Sequence, residues 1–127
     1  MDTLIAAGPP ELRLALELAL REEPGFDVIG TVSNGRSLLA VLRGTRCDLV
    51  VLESGLPDGP VRDVVEQVRA LLPSPRIVVL AEPADEPQVD ELSPDATVPK
   101  GAPPDRLLDA LRLVRTRWRQ GRDQAPP

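Results

Sequence analysis

The 127-residue chain contains no histidine, one cysteine (Cys47) and only two aromatic residues, Phe26 and Trp118. The absence of histidine removes the commonest general base and the commonest transition-metal ligand. A single cysteine can form neither an intramolecular disulfide nor a thiolate metal cluster. Two aromatic side chains cannot supply the stacked platforms on which single-stranded nucleic acid is bound. The core must therefore consist of aliphatic side chains, and any role that needs a histidine, such as a phosphohistidine relay, is excluded.

Long apolar runs are also absent: no stretch approaches the roughly 20 residues of a membrane-spanning helix. The N-terminus carries no basic stretch before an apolar one, so we expect no signal peptide, no membrane partner and a cytoplasmic location. The 20 acidic and 15 basic side chains give a net charge of −5, which argues against nucleic-acid binding by the whole surface. The length fits one domain of about 100–150 residues.

Short apolar runs alternate with longer segments of helical period, a pattern typical of a parallel sheet. The pattern predicts five strands, over residues 3–7, 26–32, 48–52, 76–80 and 95–98. It predicts helices that begin at Pro10 and after Asn34, helices over 61–72 and 104–119, and a short or irregular fourth helix near 86–92. In the first helix, Ala15 shares the period of the residues expected to face inward. We expect one domain over 1–119, and a polar, proline-rich tail or linker over 120–127.

The alternating order predicts an α/β fold with right-handed crossovers and helices on both faces of the sheet. We expect a flavodoxin-like, doubly wound parallel sheet of five strands in the order 2-1-3-4-5. Ligands of such folds bind at the carboxyl ends of the strands beside the point where the chain reverses direction. The residues after strands one, three, four and five are therefore the candidate site.

Several stretches together resemble the receiver domain of bacterial response regulators, particularly its NarL-type (LuxR-like) branch. They are PELR at 10–13, EEPGFDVIG at 22–30, DLVVL at 48–52 with LPDG at 56–59, RIVVL at 76–80 and PKG at 99–101. No single stretch is very specific, but their order and spacing cover about residues 3–117.

The resemblance implies a phosphoryl-accepting aspartate after strand three and an acid pair after strand one, which together hold Mg²⁺. It also implies a hydroxyl after strand four, an aromatic switch residue in strand five and a lysine after that strand. In this sequence the acid pair becomes Ala7 and Gly8, the acceptor Glu53, the hydroxyl position Ala81, the switch position Thr97, and only the lysine is kept, as Lys100.

One carboxylate cannot replace three around Mg²⁺, and phosphoryl transfer depends on that metal for positioning and charge neutralisation. We therefore expect a degenerate receiver with no bound Mg²⁺, no other cofactor, no catalytic residue and no autophosphorylation. Glu53 has two interpretations: a solvated acid at a strand end, or a partner of Lys100 that imitates a phosphorylated aspartate. Glu82 and Asp58 could bring further charge to the same rim.

The leading hypothesis is a phosphorylation-independent pseudo-receiver that acts by protein–protein contact, with a protein partner or as a homodimer through the outer face of the last helix. Its expected setting is bacterial transcription control, with DNA bound only by a helix-turn-helix domain that would follow about Arg119. An alternative is a small-molecule sensor that uses the vacated cleft above Ala7, Gly8, Glu53 and Ala81. A flavodoxin-like electron carrier is disfavoured by the scarcity of aromatic residues, and an enzyme by the lack of any nucleophile–base pair.

Overall fold

The computed structural model describes residues 1–123 as five strands, five α-helices and one short 3₁₀ helix. The strands are β1 (Asp2–Ala6), β2 (Asp27–Val32), β3 (Leu49–Glu53), β4 (Arg76–Ala81) and β5 (Ala96–Pro99). The α-helices are α1 (Pro10–Glu22), α2 (Gly35–Gly44), α3 (Val61–Arg69), α4 (Glu86–Leu92) and α5 (Pro104–Asp123). The 3₁₀ helix, Pro83–Asp85, runs directly into α4.

All neighbouring strands are parallel, and their order is β2-β1-β3-β4-β5. The predicted flavodoxin-like sheet order 2-1-3-4-5 is thus confirmed. The sheet lies between two apolar layers. On one face α1 and α5 bury Leu16, Leu20, Leu107 and Leu111. On the other face α2, α3 and α4 bury a second aliphatic cluster that includes Leu38, Val65 and Val89.

The central strand β3 is buried along its whole length, including its terminal Glu53. A strand covered on both faces is expected to be continuously apolar, and Leu49–Leu52 fit this rule. Glu53 departs from it, so the sheet carries a buried carboxylate at its carboxyl edge.

Local signals explain where two helices begin. Pro10 takes the first position of α1, where the missing N–H costs no hydrogen bond. Asn34 is the N-cap of α2, and its side-chain oxygen accepts a hydrogen bond of 2.8 Å from the Ser37 N–H. Both starts agree with the sequence-based expectation.

Three expectations about the helices are wrong. The first two concern the end of α3 and the burial of Ala15 in α1. Helix α3 ends at Arg69 instead of 72, and Leu72 is 94% exposed. Pro73 disfavours the helical conformation of Leu72, the residue before it, so the helix cannot readily extend to that position. In α1, Ala15 lies on the exposed side of the helix, away from the buried Leu16.

The third concerns helix α5, which continues to Asp123, past the expected end at Arg119, so the tail predicted over 120–127 begins inside a helix. Arginine and glutamine favour helices, and the Arg122 guanidinium stacks 4.6 Å from the Trp118 ring one turn earlier. The rest of that predicted tail, 124–127, lies outside the described residues.

The fourth helix is short, as expected, and it is held at its far end by α3. Arg69 donates to the carbonyl oxygens of Leu92 and Ser93 at the end of α4. Arg62 of α3 lies 3.3 Å from the carboxylate of Glu91. None of the helices within residues 1–123 combines the length and apolar character needed to cross a membrane.

Candidate functional site

The carboxyl ends of β1, β3, β4 and β5 meet at one edge of the sheet. Ala7 and Gly8 follow β1, Glu53 ends β3, Ala81 ends β4 and Lys100 follows β5. The Lys100 N–H donates to the Ala81 carbonyl oxygen at 2.9 Å, which ties the end of β5 to the end of β4. The fold thus brings five of the six predicted site positions together.

The sixth position, Thr97, lies within β5 beside Val79 of β4 and is partly exposed. A threonine has no ring that could rotate between an outer and an inner position. The aromatic switch expected of a receiver therefore has no counterpart in this strand.

Glu53 is 1% exposed, so its interpretation as a solvated acid is wrong. Its Oε1 accepts a hydrogen bond of 2.5 Å from the Gly8 backbone N–H. Its Oε2 lies 2.9 Å from the Lys100 Nζ. Within residues 1–123 Oε2 accepts no hydrogen bond of standard geometry, so its contact with Lys100 is described as an ion pair.

Lys100, the only lysine of the chain, is the positive centre of the site. Its ammonium lies between two carboxylates: 2.7 Å from Glu82 Oε1 and 2.9 Å from Glu53 Oε2. The interactions with Glu82 and then with Glu53 raise the pKa of Lys100 above its ordinary value of 10.5. The lysine is therefore charged at neutral pH and neutralises the buried carboxylate.

The residues at this edge do not fit a Mg²⁺ ion. Ala7 and Gly8 offer no carboxylate, and both oxygens of Glu53 already face other groups, the Gly8 N–H and the Lys100 ammonium. A side chain at position 8 would also be crowded, since a Cβ atom there would lie 3.1 Å from Glu53 Oε1. Within residues 1–123, no three histidine, cysteine or acidic side chains lie together as a metal-binding group.

Ser54 is a site residue that the sequence-based reasoning missed. It is 5% exposed. Its hydroxyl donates to Asp85 Oδ2 at 2.8 Å and accepts from the Glu82 N–H at 3.0 Å. These two bonds fasten the end of β3 to the segment between β4 and α4. A small polar residue directly after a buried strand was the only available signal, because Asp85 lies 31 positions away.

Arg13 of α1 is a second residue whose contact was missed. Its guanidinium donates to the carbonyl oxygens of Ala7 and Gly8, at 2.9 and 3.0 Å. These bonds fix the loop whose Gly8 N–H holds Glu53. The stretch PELR contains this arginine, but sequence spacing alone gave it no role.

The two loop acids, Glu82 and Asp58, lie in different parts of the structure. Glu82 joins the site through Lys100. Asp58 instead accepts hydrogen bonds from the Gly35 and Arg36 N–H groups at 2.8 and 2.9 Å, at the start of α2. Those bonds lower the pKa of Asp58. Asp58 therefore caps a helix and does not contribute charge to the Glu53–Lys100 pair.

Three clefts lie elsewhere on the molecule. One of about 470 Å³ is bounded by Arg46, Leu72 and Pro73, one of about 300 Å³ lies between α2 and α3, and one of about 330 Å³ lies near Arg76. None of these three is lined by Glu53 or Lys100.

No protein-family model matches the chain. A Pseudomonas aeruginosa protein named a transcriptional regulator is 34% identical over 77 residues, which is 61% of this chain and 37% of that protein. A protein-glutamate methylesterase/protein-glutamine glutaminase of Anaeromyxobacter dehalogenans is 28% identical over 118 residues, or 91% of this chain and 35% of that protein. The chain thus spans about a third of the length of these two curated relatives.

Solved structures match over nearly the whole chain. The response regulatory domain of mrkE from Klebsiella pneumoniae superposes with a TM-score of 0.86 at 17% identity, covering 94% of this chain and 99% of that one. This chain has the receiver fold. The isolated receiver (REC) domain of RcsB from Salmonella enterica, solved with the phosphomimetic BeF₃⁻, superposes with a TM-score of 0.83 at 21% identity, covering 91% and 88%. These likenesses establish the architecture, and the receiver fold is what positions Glu53 and Lys100.

Proposed function

We propose that this receiver-fold chain is a regulatory domain whose signalling state does not depend on phosphorylation and which acts by contact with other proteins. The observation that carries the proposal is the buried pair of Glu53 and Lys100. A carboxylate already stands at the end of β3, where the receiver resemblance places the phosphoryl acceptor, and it already faces the lysine that would hold the phosphoryl oxygens. The charge that phosphorylation would create is supplied in part by the side chain.

Two further features support a fixed state. Ala81 carries no hydroxyl and Thr97 no aromatic ring, so the groups that would report phosphorylation to the α4–β5–α5 side are missing. The Ser54 hydroxyl instead binds the Glu82 N–H and the Asp85 carboxylate. An allosteric switch needs two alternative arrangements, and these contacts favour only one.

We propose that the chain is not an enzyme. It lacks histidine, and burial raises the pKa of the Cys47 thiol to about 11, so that thiol is protonated at neutral pH. A protonated, hydrogen-bonded thiol is a poor nucleophile.

We also propose a cytoplasmic protein of transcription control, in keeping with the name of the Pseudomonas relative, with DNA contacts made by another domain. The RcsB structures on DNA describe dimers of that protein.

The test is incubation with acetyl phosphate and Mg²⁺, followed by intact mass measurement. We expect no added phosphoryl mass. BeF₃⁻ with Mg²⁺ should leave the melting temperature unchanged, because a compound that does not bind the native state cannot raise its stability. An added phosphoryl mass, or stabilisation by BeF₃⁻ that Glu53→Gln removes, would overturn the proposal.

A further inference from the structure

The outer side of α1 carries a line of four exposed side chains, called the seam below. Its members are Glu11, Leu14, Leu18 and Arg21, and all four are exposed. Leu14 and Leu18 are each 56% exposed, although Leu16 and Leu20 of the same helix are buried at 5% and 0%. Single exposed leucines are ordinary, but two that are adjacent on a helix face form a continuous apolar strip.

The spacing of the four residues is 3, 4 and 3. That is the spacing of the contact positions in a coiled coil, and it places all four on one face of the helix. The seam has an apolar centre and oppositely charged ends: Glu11 at the N-terminal end and Arg21 at the C-terminal end. It covers ten residue steps, or about 15 Å of helix.

The charges at the two ends of the seam fit a second copy of α1 in the antiparallel orientation. The positions are symmetric about residue 16, because 11 and 21 lie five residues from it and 14 and 18 lie two. If a second copy of α1 crosses antiparallel at that point, Leu14 faces the other copy's Leu18 and Glu11 faces the other copy's Arg21. A parallel pair would instead place like charges opposite each other, which is destabilising. The seam is self-complementary only in the antiparallel, two-fold arrangement.

Arg21 can serve this contact without losing its internal one. Its Nε and Nη2 donate to Glu17 on the same helix, at 3.2 and 2.9 Å. Within residues 1–123 its Nη1 makes no hydrogen bond, and a guanidinium has donors enough for two carboxylates. The leucines are already fixed in place by a helix that is anchored to the sheet.

We infer that the exposed face of α1 is a homodimer surface on which two copies pack antiparallel about residue 16. This inference is independent of the proposal on Glu53, since no residue of the seam belongs to that site. It also differs from the expected dimer through α5. A seam of about three helical turns is smaller than the standard interface of about 1,600 Å², so the dimer belongs to the weak, concentration-dependent class.

The test is sedimentation equilibrium of the 127-residue chain from about 1 µM to 1 mM, the range in which weak dimers dissociate. The expected result is a rise in mass from monomer to dimer across this range. Leu14→Glu and Leu18→Glu should each weaken the dimer at least about tenfold. Leu113→Glu, at a leucine 50% exposed on α5, is the matched control and should have no effect. A monomer throughout the range, or loss of the dimer in the Leu113 variant alone, would overturn the inference.

Charge exchange tests the orientation. Glu11→Arg and Arg21→Glu should each weaken the dimer, because each places like charges opposite one another in the antiparallel pair. The double variant restores opposite charges at both ends and should recover the parent mass profile. In a parallel pair the double variant would keep like charges together and would not recover. Circular dichroism of each variant checks that α1 remains folded, and a double variant that is folded yet no better than the single ones would refute the antiparallel seam.

Discussion

Removing Lys100 is expected to destabilise the protein more than removing the charge of its partner Glu53. Glu53 is 1% exposed, whereas the Lys100 side chain is 26% exposed and also faces Glu82. Without Lys100 the Glu53 carboxylate would stay buried with only the Gly8 N–H as a partner. Without the Glu53 charge, Lys100 still has Glu82 and solvent. Loss of Lys100 should therefore lower the free energy of unfolding more than loss of the Glu53 charge.

The magnitudes follow from this asymmetry. Breaking a buried ion pair by removing one partner costs about 3–5 kcal/mol, and we expect about 3 for Lys100→Met because the Gly8 N–H still donates. Glu53→Gln keeps an acceptor for Gly8 and should cost about 1–2 kcal/mol. In the double variant the neutral amide at position 53 needs no cation, so the total loss should be about 2 kcal/mol. The coupling between the two sites is then about 2–3 kcal/mol.

The assay is urea unfolding followed by circular dichroism, and its fitted quantity is the free energy of unfolding in water. Glu66→Gln is the matched control, since the Glu66 side chain is 61% exposed and its change should fall within about ±0.5 kcal/mol. Two results would refute the reasoning. One is a Lys100→Met cost no larger than that of Glu53→Gln. The other is additivity of the two changes within about 0.5 kcal/mol.

Three further predictions concern Ser54, Lys100 and Asp58. Ser54→Ala should lower the free energy of unfolding by about 1–3 kcal/mol and speed amide hydrogen exchange over 82–92 more than elsewhere, while the exposed Ser74→Ala leaves both unchanged. Uniformly faster exchange would instead indicate a general packing role. A pH titration of Lys100, reductively methylated and followed by NMR, should give a pKa above 10.5 that falls in Glu82→Gln. Because the folded-state pKa is raised, this stabilisation is complete below the unfolded value and is lost as pH rises through the folded one. Asp58→Asn should lower stability by about 0.5–1 kcal/mol at neutral pH. Since the pKa of Asp58 is lowered in the fold, the difference between parent and variant should vanish in urea titrations as pH falls through that pKa.

Much of the fold could be predicted because local chemistry and tertiary packing agree. The continuous run Leu49–Leu52 forms the central buried strand, and Asn34 caps α2 as its side chain predicts. Where the prediction failed, tertiary context or a neighbouring proline decided the outcome. Leu72 has the right period for α3 but precedes Pro73, and the helix ends before it reaches that position.

The site could be located from the sequence, but its contacts could not. The order of strands predicts that Glu53 and Lys100 share one edge. It cannot predict that Glu53 turns inward, because this depends on a Gly8 N–H that lies 45 residues earlier in the chain. The link from Ser54 to Asp85 spans 31 residues and joins two types of side chain that are usually solvated. Such contacts are set by the assembled edge of the sheet, not by any local pattern.

The burial of Glu53 bears on whether the site is merely a decayed receiver site. A carboxylate moved out of water costs several kcal/mol unless a cation and hydrogen bonds compensate, so an alanine or a leucine at the end of β3 would be easier to accommodate. This chain instead keeps the acid at 1% exposure, holds it with the Gly8 N–H, and places its only lysine 2.9 Å away. A buried charge and its matched cation form a specific arrangement, and in some proteins such pairs fix one conformation or register. This arrangement supports the proposal of a site that holds one charged state. A coupling near zero between Glu53 and Lys100 would remove that support.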